Sequence, residues 1–251
     1  MTAGLPVSVP FVVTLHGNGT TGDFHPNTIF VSHNHAIRNG CECYVYNGLD
    51  WSECPQVQLG LPRSGYHFLA KAAWRVKNVQ GAIDVVKIIP QEHLVVLGGQ
   101  RINIKMGFRC TLSPRIHFKG MVDDRVKYGV MQKSKGLLFP VVWHEPFGLA
   151  IIESLYAGSP VFATPYGAIP ELISDSNLGF LTNSAAEMVE HLRQPVKYDP
   201  EYCHEYAKEH FSSMVMALNY MEKYNKVLRG EVLNASVGKP DQHYRDLVWQ
   251  K

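Results

Sequence analysis

No apolar run in these 251 residues approaches the ~18 that a membrane span requires. No charge of one sign dominates: 24 basic residues stand against 22 acidic ones, for a formal net charge of +2. That balance demands neither nucleic acid nor an anionic surface as partner, though it leaves peripheral membrane contact open. There is no disulfide framework, because the cysteines are odd in number and scattered at Cys41, Cys43, Cys54, Cys110 and Cys203. Reduced thiols in a cytoplasmic protein are the simplest reading. A secretory leader is not expected either: the stretch from Leu5 to Leu15 is interrupted by Pro6 and Pro10, and no basic segment precedes it. Internal repeats and low-complexity segments are absent.

What is present is an ordinary globular composition, 45% hydrophobic and 18% charged, enough to bury a full core. Short β-branched runs at Phe11–Leu15, Thr28–Ser32 and Tyr44–Tyr46 read as strands. Residues 48–65 hold Pro55 and Pro62 with little periodicity and read as a linker. From Tyr66 the pattern becomes regular. Strands are expected at Tyr66–Lys71, His93–Leu97, Arg115–Phe118, Gly136–Phe139 and Pro160–Thr164. Helices are expected at Val79–Ile89, Asp123–Gln132, Pro146–Ala157 and Ala185–Leu192. That alternation predicts an α/β fold, a Rossmann-like parallel sheet with helices on both faces. Such sheets take ligands in the crevice at the carboxyl ends of their strands. Tyr202–Leu228 reads as helical, with Tyr206, Phe211, Met214, Leu218, Met221 and Tyr224 forming an apolar stripe. Residues 229–251 look like a loose tail.

The stretch Phe139-Pro-Val-Val-Trp-His-Glu-Pro-Phe-Gly-Leu149 carries the chemistry. A buried strand runs into a loop, and Pro146 suits the first position of a helix. The amides of Phe147, Gly148 and Leu149 would then lie in the first turn without partners, an anion site. At about 100° per residue, Glu145 and Glu153 fall within about 80° of each other in projection. Two carboxylates beside an anion site suit a ligand with hydroxyls around its phosphates. By spacing alone they are as well read as a helix cap and a solvated side chain. A rival constellation, His33, His35, Cys41 and Cys43, offers four soft ligands for zinc, with spacings unusual for such a site.

Glu145-Pro-Phe-Gly-Leu-Ala-Ile-Ile-Glu153, followed by Ser-Leu-Tyr-Ala-Gly-Ser-Pro-Val, resembles the E-x7-E signature of family-4 retaining glycosyltransferases. Thr164-Pro-Tyr-Gly-Ala-Ile-Pro-Glu171 resembles that family's next loop, which faces the donor. Asn47-Gly-Leu-Asp50, Leu94–Gly99, Ile116–Asp124 and Phe211–Leu228 resemble further segments, so the likeness runs over about residues 11–228. It implies a GT-B fold. Residues 1–47 would be part of an N-terminal, acceptor-side domain, 48–228 the donor-binding domain with its terminal helices, and 229–251 a tail. It implies transfer of a hexose from a UDP- or GDP-linked sugar to an unknown acceptor, with retention and without a metal or other cofactor.

The resemblance also assigns roles. Lys71 and Lys77 would hold the diphosphate together with the amides of Phe147, Gly148 and Leu149. Glu145 would bind sugar hydroxyls and Glu153 the ribose, while His16 would reach the donor sugar from across the cleft. His16, Glu145, Lys71 and Lys77 are thus the catalytic set. The family's glycine-arginine pair is here Ala70-Lys71, which replaces a bidentate fork with a point charge, and Arg75 is a candidate substitute. Few residues precede Asn47, so three readings stay open. The chain is an enzyme or donor subunit completed by a partner chain that pairs with the edge at residues 11–15. Alternatively it is a non-catalytic nucleotide-sugar-binding remnant, or an interaction protein.

Overall fold

The computed structural model describes residues 9–19, 21–104 and 108–251. Thr20 of the first glycine-rich turn and the beginning of the Leu5–Leu15 stretch lie outside them. The elements in chain order are β1 (Val13–Leu15), β2 (Thr28–Phe30), α1 (His33–Arg38), β3 (Tyr66–Leu69), α2 (Val79–Ile88), β4 (Leu94–Leu97), β5 (Ile102–Asn103) and β6 (Arg109–Cys110). They continue with β7 (Ile116–Gly120), α3 (Asp124–Met131), β8 (Leu137–Phe139), α4 (Leu149–Tyr156), β9 (Val161–Ala163) and α5 (Ile169–Leu172). The last are β10 (Gly179–Leu181), α6 (Ala185–Arg193), α7 (Pro200–His210) and α8 (Ser213–Leu228).

Six strands form one sheet in the order β10-β9-β8-β3-β4-β7, every neighbouring pair parallel. The central strands are too apolar to face water on either side, as the buried runs Leu137-Leu-Phe139 and Val161-Phe-Ala163 show, while edge strand β7 exposes His117 and Lys119. One face packs Met131, Ile151, Ile152, Leu155, Cys203 and Ala207 from α3, α4 and α7. The other packs Ala82, Ile83, Val86, Met188 and Val189 from α2 and α6. The chain builds outward from β3 through β4 to β7, then returns to the other side of β3 with β8. That reversal splays the loops after β3 and β8 apart and opens a crevice between them.

A second, two-stranded parallel sheet pairs β1 with β2. Tyr44–Tyr46 adds only a single bridge, Phe30 to Tyr44, rather than a full strand. Between Gly99 and Arg115, where the sequence shows no periodic element, the antiparallel hairpin β5–β6 forms. The stretch 48–65 is no free linker. Leu49 pairs with Ser212, and Trp51 stacks on Tyr156 at 4.4 Å and 6°.

Two expectations at the carboxyl-terminal side differ. The helix does not run through from Tyr202 to Leu228. It breaks at Phe211, and Ser212 caps α8 by accepting from Val215 N–H. The break shifts the phase of the apolar repeat. Phe211 is buried, and Met216, Tyr220 and Val227 pack inward, while Met214, Leu218 and Met221 are exposed. The tail is also not loose. Asn234 bonds to Pro26, Thr28, Glu42 and Cys43, and Lys239 N–H donates to the Asn39 carbonyl. Asp241 forms an ion pair with Arg38, both side chains about 85% buried. Farther on, His144 N–H donates to Tyr244, Leu247 N–H donates to Val142, and Gln250 pairs with Ser184. The tail therefore straps the small sheet to the large one.

Removing one partner of a buried ion pair leaves the other uncompensated, at a cost of ~3 kcal/mol. Asp241→Ala should accordingly lower the melting temperature by about 6–12 °C at 2–4 °C per kcal/mol, and calorimetry reads it. Two buried histidines set an acid limit. Burial, with Arg63 beside it, lowers His67 from 6.5 to about 3. Burial, with Arg38 nearby, lowers His35 to about 4. The unfolded chain therefore binds more protons than the fold below pH 6.5. Stability should be full above pH 6.5 and fall progressively as pH drops toward 4, by up to ~1.4 kcal/mol per unit and histidine. Urea unfolding across that range checks it; a flat profile contradicts it.

Candidate functional site

The crevice at the strand-order reversal holds a cavity of about 540 Å3. Its walls come from the loop after β3 (Leu69, Ala70, Lys71, Trp74, Lys77) and from the segment after β8 (Phe139, Trp143, Glu145 to Ala150, Glu153). His16 and Gly17 close the rim from the β1 side, and both are exposed. The residues assigned to the catalytic and donor-binding sets all line this one cavity: His16, Lys71, Lys77, Glu145, Phe147, Gly148, Leu149 and Glu153.

The loop after β3 is held close by glycine. A Cβ on Gly98 would stand 2.3 Å from the Ala70 carbonyl oxygen, and one on Gly99 would stand 2.4 Å from Ala72 Cβ. Ala72 N–H donates to the Gly98 carbonyl. Next, Arg75–Lys77 forms a short 3-10 turn that is tied to the opposite wall. Val142 N–H donates to Val76 O at 2.8 Å, and Asn78 Nδ2 donates to Pro140 O at 2.8 Å. Those bonds carry Lys77 across the crevice, where its Nζ lies 2.6 Å from Glu145 Oε2. Trp143 Nε1 donates to the same oxygen at 2.7 Å. The Lys77 ammonium also lies 4.7 Å from the Trp143 ring centre and 5.4 Å from that of Phe139. Lys71 stands farther out, exposed, 5.3 Å from the Trp74 ring. Arg75 lines an adjoining cavity against the β5–β6 hairpin instead of this one.

The start of α4 differs from expectation. Pro146 precedes the helix, and Gly148 is the N-cap with φ of +111°. That left-handed cap turns the chain so that α4 begins at Leu149. Ile151 N–H bonds back to Gly148. Among the described residues no protein acceptor takes the amides of Gly148, Leu149 or Ala150, which face the cavity end of the helix. Phe147 contributes backbone only; its ring is buried between Tyr46 and Phe211.

Glu153 has a partner the sequence reading missed. Lys127 of α3 bonds Glu153 Oε1 at 2.5 Å and Asp124 at 2.6 Å. Burial pushes the Glu153 carboxyl above its usual range, opposed by Lys127. Burial also works against the Lys127 charge, and its bonds to Asp124 and Glu153 outweigh that and raise it. Only the placement of Lys127 one turn into a helix aimed at α4 could have signalled this.

The loop Thr164–Glu171 does not line the cavity; it backs Glu145. Ala168 N–H donates to Glu145 O at 2.9 Å. Gly167, at φ of +69°, runs so close that a Cβ would stand 2.2 Å from that oxygen. Glu171 turns away to the small sheet, accepting from the His33 and Asn34 amides and from Tyr46 Oη. The zinc constellation does not converge. Cys41 packs with Phe30 and Ala36, Cys43 packs with Ile29 and Val45, and His35 stands edge-on to Phe30. Among the described residues no group of three His, Cys, Asp or Glu side chains is placed to hold a metal.

A parallel sheet with helices on both faces and a cavity at its strand-order reversal defines an α/β domain, and solved structures agree on the fold. AviGT4, a glycosyltransferase involved in avilamycin A biosynthesis, superposes with a TM-score of 0.71 at 16% identity, covering 92% of this chain and 72% of its own. HepE of Anabaena, solved in complex with UDP-glucose, gives 0.62 at 19% identity, covering 81% and 63%. Residues 65–197 match the family described as Glycosyl transferases group 1, and the chain belongs to that family. A curated relative is the phosphatidyl-myo-inositol mannosyltransferase of Mycobacterium tuberculosis, 28% identical over 128 residues, 49% of this chain and 34% of that protein. The matched region spans about a third of the length of the curated relatives found first.

The conformation of Gly148 makes a paired prediction. A methyl group in the left-handed region costs ~1–2 kcal/mol, so Gly148→Ala should lower the urea midpoint accordingly. Gly129 sits inside α3 with nothing within 4 Å of its absent Cβ. Gly129→Ala should raise the unfolding free energy by ~0.5–1 kcal/mol and the midpoint with it.

Proposed function

We propose that this chain supplies the donor site of a retaining glycosyltransferase that moves a hexose from a UDP- or GDP-linked sugar. The single observation that carries the reading is the convergence of Lys71, Lys77, Glu145, Glu153 and the free amides of α4 on one cavity at the strand-order reversal. The chemistry follows from the charges. A leaving diphosphate gains negative charge as the glycosidic bond breaks. Lys77, Lys71 and the amides at Gly148 and Leu149 stabilise it in place, without requiring a metal. Glu153, held by Lys127, receives the ribose hydroxyls, and Glu145 receives those of the sugar. His16 contacts the sugar from the opposite rim. The relatives act on sugars by name, and the HepE structure holds UDP-glucose, which supports the same ligand class here.

A second reading keeps this site in a donor-binding subunit that another chain completes, with residues 1–47 as the fragment of an acceptor-side domain. Two surfaces favour it. Strand β1 pairs on one side only among the described residues. Beside it, α8 exposes Met214, Leu218, Met221 and Leu228 at 54–68%. Transfer from labelled donors to broad acceptors by the isolated chain would favour the complete enzyme. Donor binding without transfer would favour the subunit.

The deciding panel is thermal unfolding with UDP, GDP, ADP and their hexose conjugates. A specific ligand at a hundredfold excess over Kd contributes ~2.7 kcal/mol, and the nucleotide that shifts the melt names the base. No shift with any of them overturns the donor reading. Glu153→Ala leaves Lys127 paired with Asp124, so the fold should persist while diphosphate binding weakens by ~1–3 kcal/mol. A variant that binds UDP and GDP as tightly as its parent removes the ribose assignment.

A further inference from the structure

The arrangement around Glu145 goes beyond the two carboxylates and the lysines. Lys77 is already committed within the protein. Its ammonium is 2.6 Å from Glu145 Oε2, with only 13% and 8% of the two side chains exposed. A diphosphate entering the cavity competes for that ammonium. When Lys77 turns toward phosphate, Glu145 loses its nearest cation in a place that water reaches poorly. A buried carboxylate without donors is costly. One donor remains on the same oxygen, Trp143 Nε1 at 2.7 Å.

Trp143 is itself fixed. Its ring meets Trp74 at 6.4 Å and Tyr244 at 6.5 Å, and its backbone bridges Arg245 of the carboxyl-terminal strap. The backbone of Glu145 is pinned from behind by Ala168 and Gly167. The indole N–H is thus a stationary donor, whereas the lysine is a movable one.

We propose that Trp143 is a positioning residue that keeps the Glu145 carboxylate satisfied and aimed at the sugar position while Lys77 moves to the diphosphate. The proposal rests on the donor-site reading above. A bare diphosphate draws Lys77 away and offers Glu145 nothing in return. A sugar conjugate draws Lys77 away and supplies hydroxyl donors to the carboxylate that Trp143 has kept aimed.

The test is calorimetric titration of wild type and Trp143→Phe with UDP, UDP-glucose, GDP and GDP-mannose. Phenylalanine keeps an aromatic ring beside Lys77 and removes the N–H together with part of the fused ring. The expected result is about tenfold weaker binding of the bare diphosphate, whose complex leaves Glu145 with no other donor, with the sugar conjugate changed less than about twofold because its hydroxyls take the donor's place. Trp143→His, which restores an N–H, should recover part of the loss. Equal weakening of both ligands means a merely structural role and overturns the proposal, as does no change in either. Wild type that binds none of the four overturns the donor-site reading itself. Should Trp143→Phe fail to fold, the 15N-indole spectrum of wild type gives the same answer. The chain has four tryptophans, and Glu145→Gln identifies the resonance bonded to the carboxylate. That resonance should move on adding the conjugate and differ from its position with bare diphosphate. An indole that responds identically to both sinks the idea.

Discussion

The reversal of strand order between β3 and β8 is the constraint on which the rest depends. Parallel strands on either side of β3 must send their connections to opposite directions, so the backbone parts where Leu69 and Phe139 end. A gap in a hydrophobic sheet exposes backbone polar groups at both lips. Here the lips are sewn together by the Val76–Val142 and Asn78–Pro140 hydrogen bonds, and a lysine and a glutamate meet between them. The ion pair and the cavity have one origin, since the side chains that reach across are those that the gap has left without neighbours.

The small sheet is seated on the large one by polar contacts as well as by the apolar packing of Val31 and Tyr46. Ser32 Oγ donates to Pro146 O, the carboxylate of Glu171 takes the first amides of α1, and Asn18 Nδ2 donates to His144 O. Two of these partners, His144 and Pro146, flank Glu145. The position of His16 on the rim is therefore coupled to the backbone that carries the carboxylate, through bonds short enough to transmit small displacements.

Much of this was legible in the sequence. Apolar strands alternating with ten-residue helices pointed to the parallel sheet through local periodicity, and the Glu145–Glu153 stretch pointed to the cavity through its resemblance, which the spacing of two glutamates alone did not supply. Local information failed where a partner lies far along the chain. Lys127 and Glu153 are 26 residues apart, and Lys77 and Glu145 are 68 apart. Gly148 misled in another way: a proline three residues before the helix looks like its first residue until the left-handed turn is seen. The apolar repeat through residues 202–228 was real, but a single capping serine at 212 turned half of it outward. The tail gave no periodic signal at all, since it is held by single side chains such as Asn234 and Asp241.

That tail has a consequence for the order of events in folding. The bonds from Asn234 to Thr28 and from Arg38 to Asp241 close loops of 206 and 203 residues. Nearly everything within those loops can form beforehand from nearer neighbours. During synthesis, the amino-terminal strands emerge first and yet acquire their strap last. Through most of translation they are two short strands with an open edge, and only the arrival of residues 234–250 secures them. The interval between those moments is the time in which the two strands are held by their own pairing and by neighbours nearer in the chain.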